Sequence, residues 1–169
     1  KVTAKGQLAL KKLSAKASAT VEADRDVTLN EAEAGTLAIS SGGSVNAGTL
    51  TAKTGDASVT AKKDVTIGTL DVKEHAELTS GGDMVLHEAE AGGTLTADAG
   101  GSISVKGTDA KISAADITMR AGEDIRITDR SPVGKLDGVD TSTPAGSTTG
   151  SGAAGSLVIG EAKPHDFDA

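Results

Sequence analysis

Polar and apolar positions in this chain alternate in short bursts that return about every 20 residues. Seven runs carry the pattern: QLAL (7–10), DVTL (26–29), SVNA (44–47), DVTI (64–67), DMVL (83–86), SISV (102–105) and DIRI (124–127). Their starts are 19, 18, 20, 19, 19 and 22 residues apart. Period-two alternation bounded by glycine and polar residues predicts a half-buried strand, because successive side chains leave a strand on opposite faces. The inward column reads Leu8 and Leu10, Val27 and Leu29, Val45 and Ala47, Val65 and Ile67, Met84 and Leu86, Ile103 and Val105, Ile125 and Ile127. It is aliphatic in every repeat.

Further elements follow within each repeat. Leu13 with Ala15, Leu50 with Ala52 and Leu70 with Val72 mark a second short strand. Val21 with Ala23, Ile39, Val59 with Ala61, Leu78, Ala97 and Ile117 with Met119 mark a third. One coil of three short strands cannot close a core, but stacked coils can pair every strand with the next at ~4.8 Å. The expected fold is therefore all-β: a right-handed parallel β-helix of roughly seven coils, about 19–20 residues each. Stretches such as KKLSAKASA favour helix by propensity. Gly pairs and Thr/Val-rich fours recur too often to leave room for helices of ~11 residues.

A longer period lies above the coil. NEAEAG (30–35) returns as HEAEAG (87–92), and VTAK (2–5) returns as VTAK (59–62), each 57 residues on. Three coils thus make one unit. The first residues read as the end of a preceding coil, so the chain is expected to be a fragment of a longer protein. The coils are expected over residues 1–130. Residues 131–155, rich in Gly, Ser, Thr and Pro, read as a loop or spacer. Residues 156–169 read as a further rung, on SLVI (156–159), and a tail.

Composition narrows the function classes. One Phe, no Tyr, no Trp and no Cys leave Val, Leu, Ile and Ala to fill the core of 169 residues. A formal charge of −7 and the lack of stacking aromatics argue against nucleic-acid binding. No stretch is apolar for the ~18 residues of a transmembrane segment, and no signal peptide opens the sequence.

Several residues could carry chemistry. Glu31 and Glu33, or Glu88 and Glu90 beside His87, invite an acid/base or metal reading. Equivalent turns three coils apart are ~14 Å apart at ~4.8 Å per rung, too far for the ~5–9.5 Å of glycosidase carboxylates. Each hexapeptide reads instead as a solvated turn closed by Gly35 or Gly92. Asp26, Asp64, Asp83 and Asp124 open equivalent strands, but Ser44 and Ser102 replace them elsewhere, which suits a turn-capping oxygen. The glycine-rich nonapeptide of calcium ladders is missing. His75, His87 and His165 follow no metal-ligand or triad spacing. No catalytic, cofactor-binding or metal residues are therefore assigned, and no enzyme activity or cofactor is expected. Lys11, Lys12, Lys62 and Lys63 could form a glycan- or heparin-binding patch; the plainer reading is solvated coil corners.

The coils GGDMVLHEAEAGGTLTADAGGSISV and SVTAKKDVTIGTLDV resemble the haemagglutinin repeats of filamentous haemagglutinin and related two-partner-secretion exoproteins. The resemblance covers residues 1–127 and, more faintly, 156–159. It implies a right-handed β-helical shaft, exported by an outer-membrane two-partner-secretion transporter. Such a protein would be secreted or held at the bacterial cell surface as a virulence adhesin, binding an unidentified receptor on host cells or other bacteria. The family also includes the sticks of contact-dependent growth inhibition proteins. Its NPNG-type secretion motif and its toxin domains have no counterpart in these residues. A β-helical carbohydrate-active enzyme is the alternative from another class; three or more carboxylates gathered within ~6 Å would favour it.

Overall fold

A computed structural model describes residues 1–107, 111–129, 149–152 and 155–161. Most of the expected spacer, with His165 and Phe167, lies outside the described residues. All regular structure described is strand: β1 (Val2–Ala4), β2 (Leu8–Ser14), β3 (Ser18–Ala23), β4 (Val27–Ala34), β5 (Thr36–Ser41), β6 (Val45–Ala52), β7 (Ala57–Ala61), β8 (Val65–Val72), β9 (Ala76–Ser80), β10 (Met84–Ala91), β11 (Thr94–Ala99), β12 (Ile103–Gly107), β13 (Lys111–Ser113), β14 (Asp116–Ala121), β15 (Ile125–Asp129), β16 (Thr149–Gly152) and β17 (Gly155–Glu161). They form a parallel β-solenoid of about six turns, about 19 residues per turn.

Two sheets wrap the core. One runs β1-β3-β5-β7-β9-β11-β14-β17-β16, the other β15-β12-β10-β8-β6-β4-β2, with β13 beside β10. Pairing is parallel except between β16 and β17. Every coil therefore supplies one strand to each sheet. Register follows the repeat: Val27 pairs with Val45, Val45 with Val65, Val65 with Met84 and Met84 with Ile103.

The structure merges two of the three strands expected per coil. β4 runs without interruption from Val27 to Ala34, yet its buried positions are 27, 29, 32 and 34. The alternation slips by one at Asn30 and Glu31, and the paired ladder passes from Leu29–Ala47 to Glu31–Thr49. A local bend there carries the chain around the core while the strand stays in its sheet. In the longer sixth coil the same strand is split into β12 and β13, both paired with β10.

The core is one continuous aliphatic column. Val27, Leu29, Ala32, Val65, Ile67, Leu70, Met84, Leu86 and Ala89 are each at most 1% exposed. Volume is balanced within the second to fifth coils. Ala32 and Ala89 are followed by Leu37 and Leu95, whereas Leu50 and Leu70 are followed by Ala57 and Ala76. A near-constant cross-section is what lets unequal coils stack at interior packing density. Leu157 falls in β17, which pairs with β14, so the rung expected at 156–159 is present. β16 lies inside the stretch read as a spacer; its Thr-Gly-Ser-Gly sequence has no apolar alternation to announce a strand.

Candidate functional site

The two acidic hexapeptides are strand, not turn. Glu31, Thr49, Thr69 and Glu88 follow one another in register, as do Glu33, Thr51, Asp71 and Glu90. The copies thus stand three rungs apart, ~14 Å at the usual strand spacing. Ala32, Ala34, Ala89 and Ala91 point into the core and the glutamates outward. Read as period two, EAEA is a strand with the smallest of inward side chains; the turn reading mistook its low apolarity for surface. Gly35 and Gly92 close the segments because a Cβ there would lie 2.3 Å from the Ala17 carbonyl oxygen and 2.2 Å from that of Lys73.

Three of these glutamates face lysines in neighbouring coils. Lys12 meets Glu31 at 2.7 Å, Lys53 meets Glu33 at 2.8 Å and Lys111 meets Glu90 at 3.2 Å. The hydrogen bond to Glu31 raises the Lys12 pKa, and the hydrogen bond from Lys53 lowers that of Glu33. All are solvent-exposed pairs of the kind that contributes little. His87 is exposed at the bend position that Asn30 occupies in the other copy.

The aspartate column has a defined role. Asp26 Oδ1 accepts the backbone N–H of Ser44 at 2.9 Å, Asp64 Oδ1 that of Asp83 at 3.0 Å and Asp83 Oδ1 that of Ser102 at 2.8 Å. The capping oxygen expected from sequence is there, but it satisfies a donor of the next coil rather than of its own turn. Each bond ties one coil to its neighbour.

A matching vacancy makes room for each carboxylate. A Cβ on Gly43, Gly82 or Gly101 would lie 2.1, 2.3 or 2.3 Å from Oδ1 of Asp26, Asp64 or Asp83 respectively. Where the coil beneath caps with another residue, the glycine gives way to a charged side chain: Lys63 follows Ser44, Glu123 follows Ser102 and Arg25 follows Gln7. Among the described residues of this column, aspartate below goes with glycine above in all three cases. A sequence signal exists for it: each such glycine comes 17 or 18 residues after its aspartate.

A second column does similar work at the start of the other sheet's strands. Asp56 Oδ1 accepts the His75 N–H at 3.0 Å, and His75 Nδ1 accepts the Thr94 N–H at 3.1 Å. Nδ1 of His75 is therefore the unprotonated ring nitrogen. Glu74 stands ahead of His75, so a side chain fits above Asp56, whereas a Cβ on Gly93, ahead of Thr94, would lie 2.7 Å from His75 Nδ1.

Nothing else gathers. Among the described residues no group of three or more His, Cys, Asp or Glu could hold a metal ion. No helix among them is long and apolar enough to cross a membrane. Lys12 lies on β2, whereas Lys62 and Lys63 lie on the turn before β8, three rungs away. The four lysines do not form one patch. An open depression lined by Ala23, Asp24, Ser40, Ser41, Gly42 and Lys62 contains a buried hydroxyl. That hydroxyl is engaged: Ser41 Oγ donates toward the Arg25 carbonyl at 2.7 Å and accepts the Gly43 N–H at 3.1 Å.

The chain is thus a parallel β-solenoid with side-chain links between coils. Comparison with protein-family models, curated proteins and solved structures found no match.

Proposed function

We propose that the chain is a non-enzymatic structural spacer, a shaft segment of a large secreted or surface-exposed bacterial adhesin that mediates attachment to host cells or other bacteria. One observation carries the spacer part: the register is continuous from β2 to β15, with an aliphatic residue or alanine at each inward position of that sheet. A stack of near-equivalent coils is rigid along its axis, and its length is set by the coil number. The adhesin setting rests on the likeness of the coils to haemagglutinin repeats. Export by an outer-membrane partner belongs to the same reading, and a disulfide-free chain suits passage through a pore unfolded.

Removing residues 26–82, three coils, tests the spacer. The shortened chain should fold with the same circular dichroism and lose ~14 Å of length by small-angle scattering. Loss of folding would refute it. For attachment, beads coated with the purified chain should be retained on epithelial or bacterial cells above uncoated beads. Equal retention would remove the binding role from this segment and leave it a plain spacer.

A further inference from the structure

The side chains that cap backbone amides of the next coil are not all of one kind. Aspartate oxygens take the N–H groups of Ser44, His75, Asp83 and Ser102. The Thr94 N–H goes instead to an imidazole nitrogen, His75 Nδ1, at 3.1 Å. The ring is seated above its own coil: a Cβ on Gly93 would lie 2.7 Å from both Nδ1 and Cε1, so the glycine leaves it room. Thr94 Oγ1 stands 2.9 Å from the same nitrogen. The joint tied here lies between β9 and β11, where Ala76 pairs with Leu95 one residue on.

An imidazole nitrogen with a free lone pair accepts a hydrogen bond, and the same nitrogen with a proton can only donate one. Histidine is the side chain that ordinarily makes this change between about pH 5 and 8. A proton added at Nδ1 takes the acceptor away from the Thr94 N–H. The new N–H then faces Thr94 Oγ1, which can accept it without the ring leaving its seat. We propose that the His75–Thr94 link is a proton-operated joint between two coils. In the neutral ring it holds the Thr94 backbone N–H; on acidification it reverses direction, donates to the Thr94 hydroxyl and releases that N–H. One proton comes from solvent, one hydrogen bond breaks and one forms.

Charged groups surround the ring. Asp56 lies beneath and holds the His75 N–H at 3.0 Å. Lys73 and Glu74 share its turn, Glu77 is exposed on β9, and Asp116 pairs with Thr94 from the coil above. All of them remain in His75→Asn, so a pH response of their making would persist in that variant. The inference goes beyond the spacer reading and does not rest on it: the joint is internal to the solenoid, whatever the rod attaches to.

Solution NMR of the full chain from about pH 8 to about pH 5 tests it. Ring nitrogen shifts should show Nδ1 without a proton at the upper end. Thr94 amide protection, corrected for the intrinsic pH dependence of exchange, should fall about tenfold along the same curve as the ring signals, the loss of one hydrogen bond. Protection of Ser44, Asp83 and Ser102 should hold over that range, and so should that of Thr94 in His75→Asn. Nuclear Overhauser contacts between the ring and Thr94 should persist in acid, and be lost there in Thr94→Val, which has no hydroxyl to receive the new N–H. Thr94 protection that stays level while the ring titrates, or that falls equally in His75→Asn, would overturn the joint. So would a ring that carries its proton on Nδ1 throughout. Departure of the ring from Thr94 in acid would overturn the reversal of the link.

Discussion

Substituting Gly82 by alanine probes the link between coils directly. The new Cβ would lie 2.3 Å from Asp64 Oδ1, the atom that accepts the Asp83 N–H at 3.0 Å. The carboxylate is the free end of a side chain and can swing aside, so the cost is the hydrogen bond rather than a backbone strain. A hydrogen bond to a charged group is worth about 1.5–3 kcal/mol, and this exposed one belongs at about 1.5. Alanine returns part of that by restricting the unfolded chain, about 0.4–1 kcal/mol where the backbone angles suit it. Gly82 does not have the positive φ that would forbid alanine. Gly82→Ala should therefore destabilise by about 0.5–1 kcal/mol on these two contributions. In an Asp64→Ser background, with the carboxylate gone, the same change should be neutral or stabilising. Urea unfolding of the four proteins, followed by circular dichroism, gives the coupling energy, expected at about 1.5 kcal/mol. Additivity within ~0.5 kcal/mol would refute the interlock.

Gly81→Ala should behave differently, because its Cβ would lie 2.2 Å from the Lys62 carbonyl oxygen, which is backbone; a loss of about 1–3 kcal/mol, unrelieved by Asp64→Ser, is expected in the same assay. Leu70→Ala, at a fully buried core position, should cost about 2–5 kcal/mol by urea denaturation. The Glu33 carboxyl should titrate below the usual glutamate range by NMR and return to it in Lys53→Gln. Because its folded pKa is the lower one, its small contribution is present above the unfolded value and lost as pH falls through the folded value; for Lys12 the contribution is present below the unfolded value and lost as pH rises through the raised folded one. His75→Ala should speed exchange of the Thr94 amide, and His75→Asn, which keeps an acceptor near the Nδ1 position, should restore protection.

The coils were legible where the inward residues are large. Val27 and Leu29, or Val65 and Ile67, announce themselves by period two, and both are buried. The inward alanines of EAEA were not, since alanine carries little apolar signal and glutamate beside it suggests helix or surface. Joining the first two strands of a coil was hidden for another reason: the bend at Asn30 breaks the alternation that defines a strand from sequence. For the aspartates the chemistry was readable and the partner was not, because the donor lies a whole coil away. β16, built from Thr, Gly and Ser, offers no pattern at all; its pairing comes from tertiary context alone.

The aspartate–glycine match also governs how such a rod can change length. A single-coil deletion cut just ahead of Gly43 or of Lys63 would set Asp26 under Lys63, or Ser44 under Gly82, leaving a carboxylate obstructed or a space unfilled, whereas removing residues 44–63 keeps Asp26 under Gly43. Dropping three returns Asp26 under Gly101, its own kind of neighbour. Duplication or deletion at the gene level would then be tolerated best where both ends fall just ahead of a capping position, and variants of this rod should differ in reach by steps of ~4.8 Å.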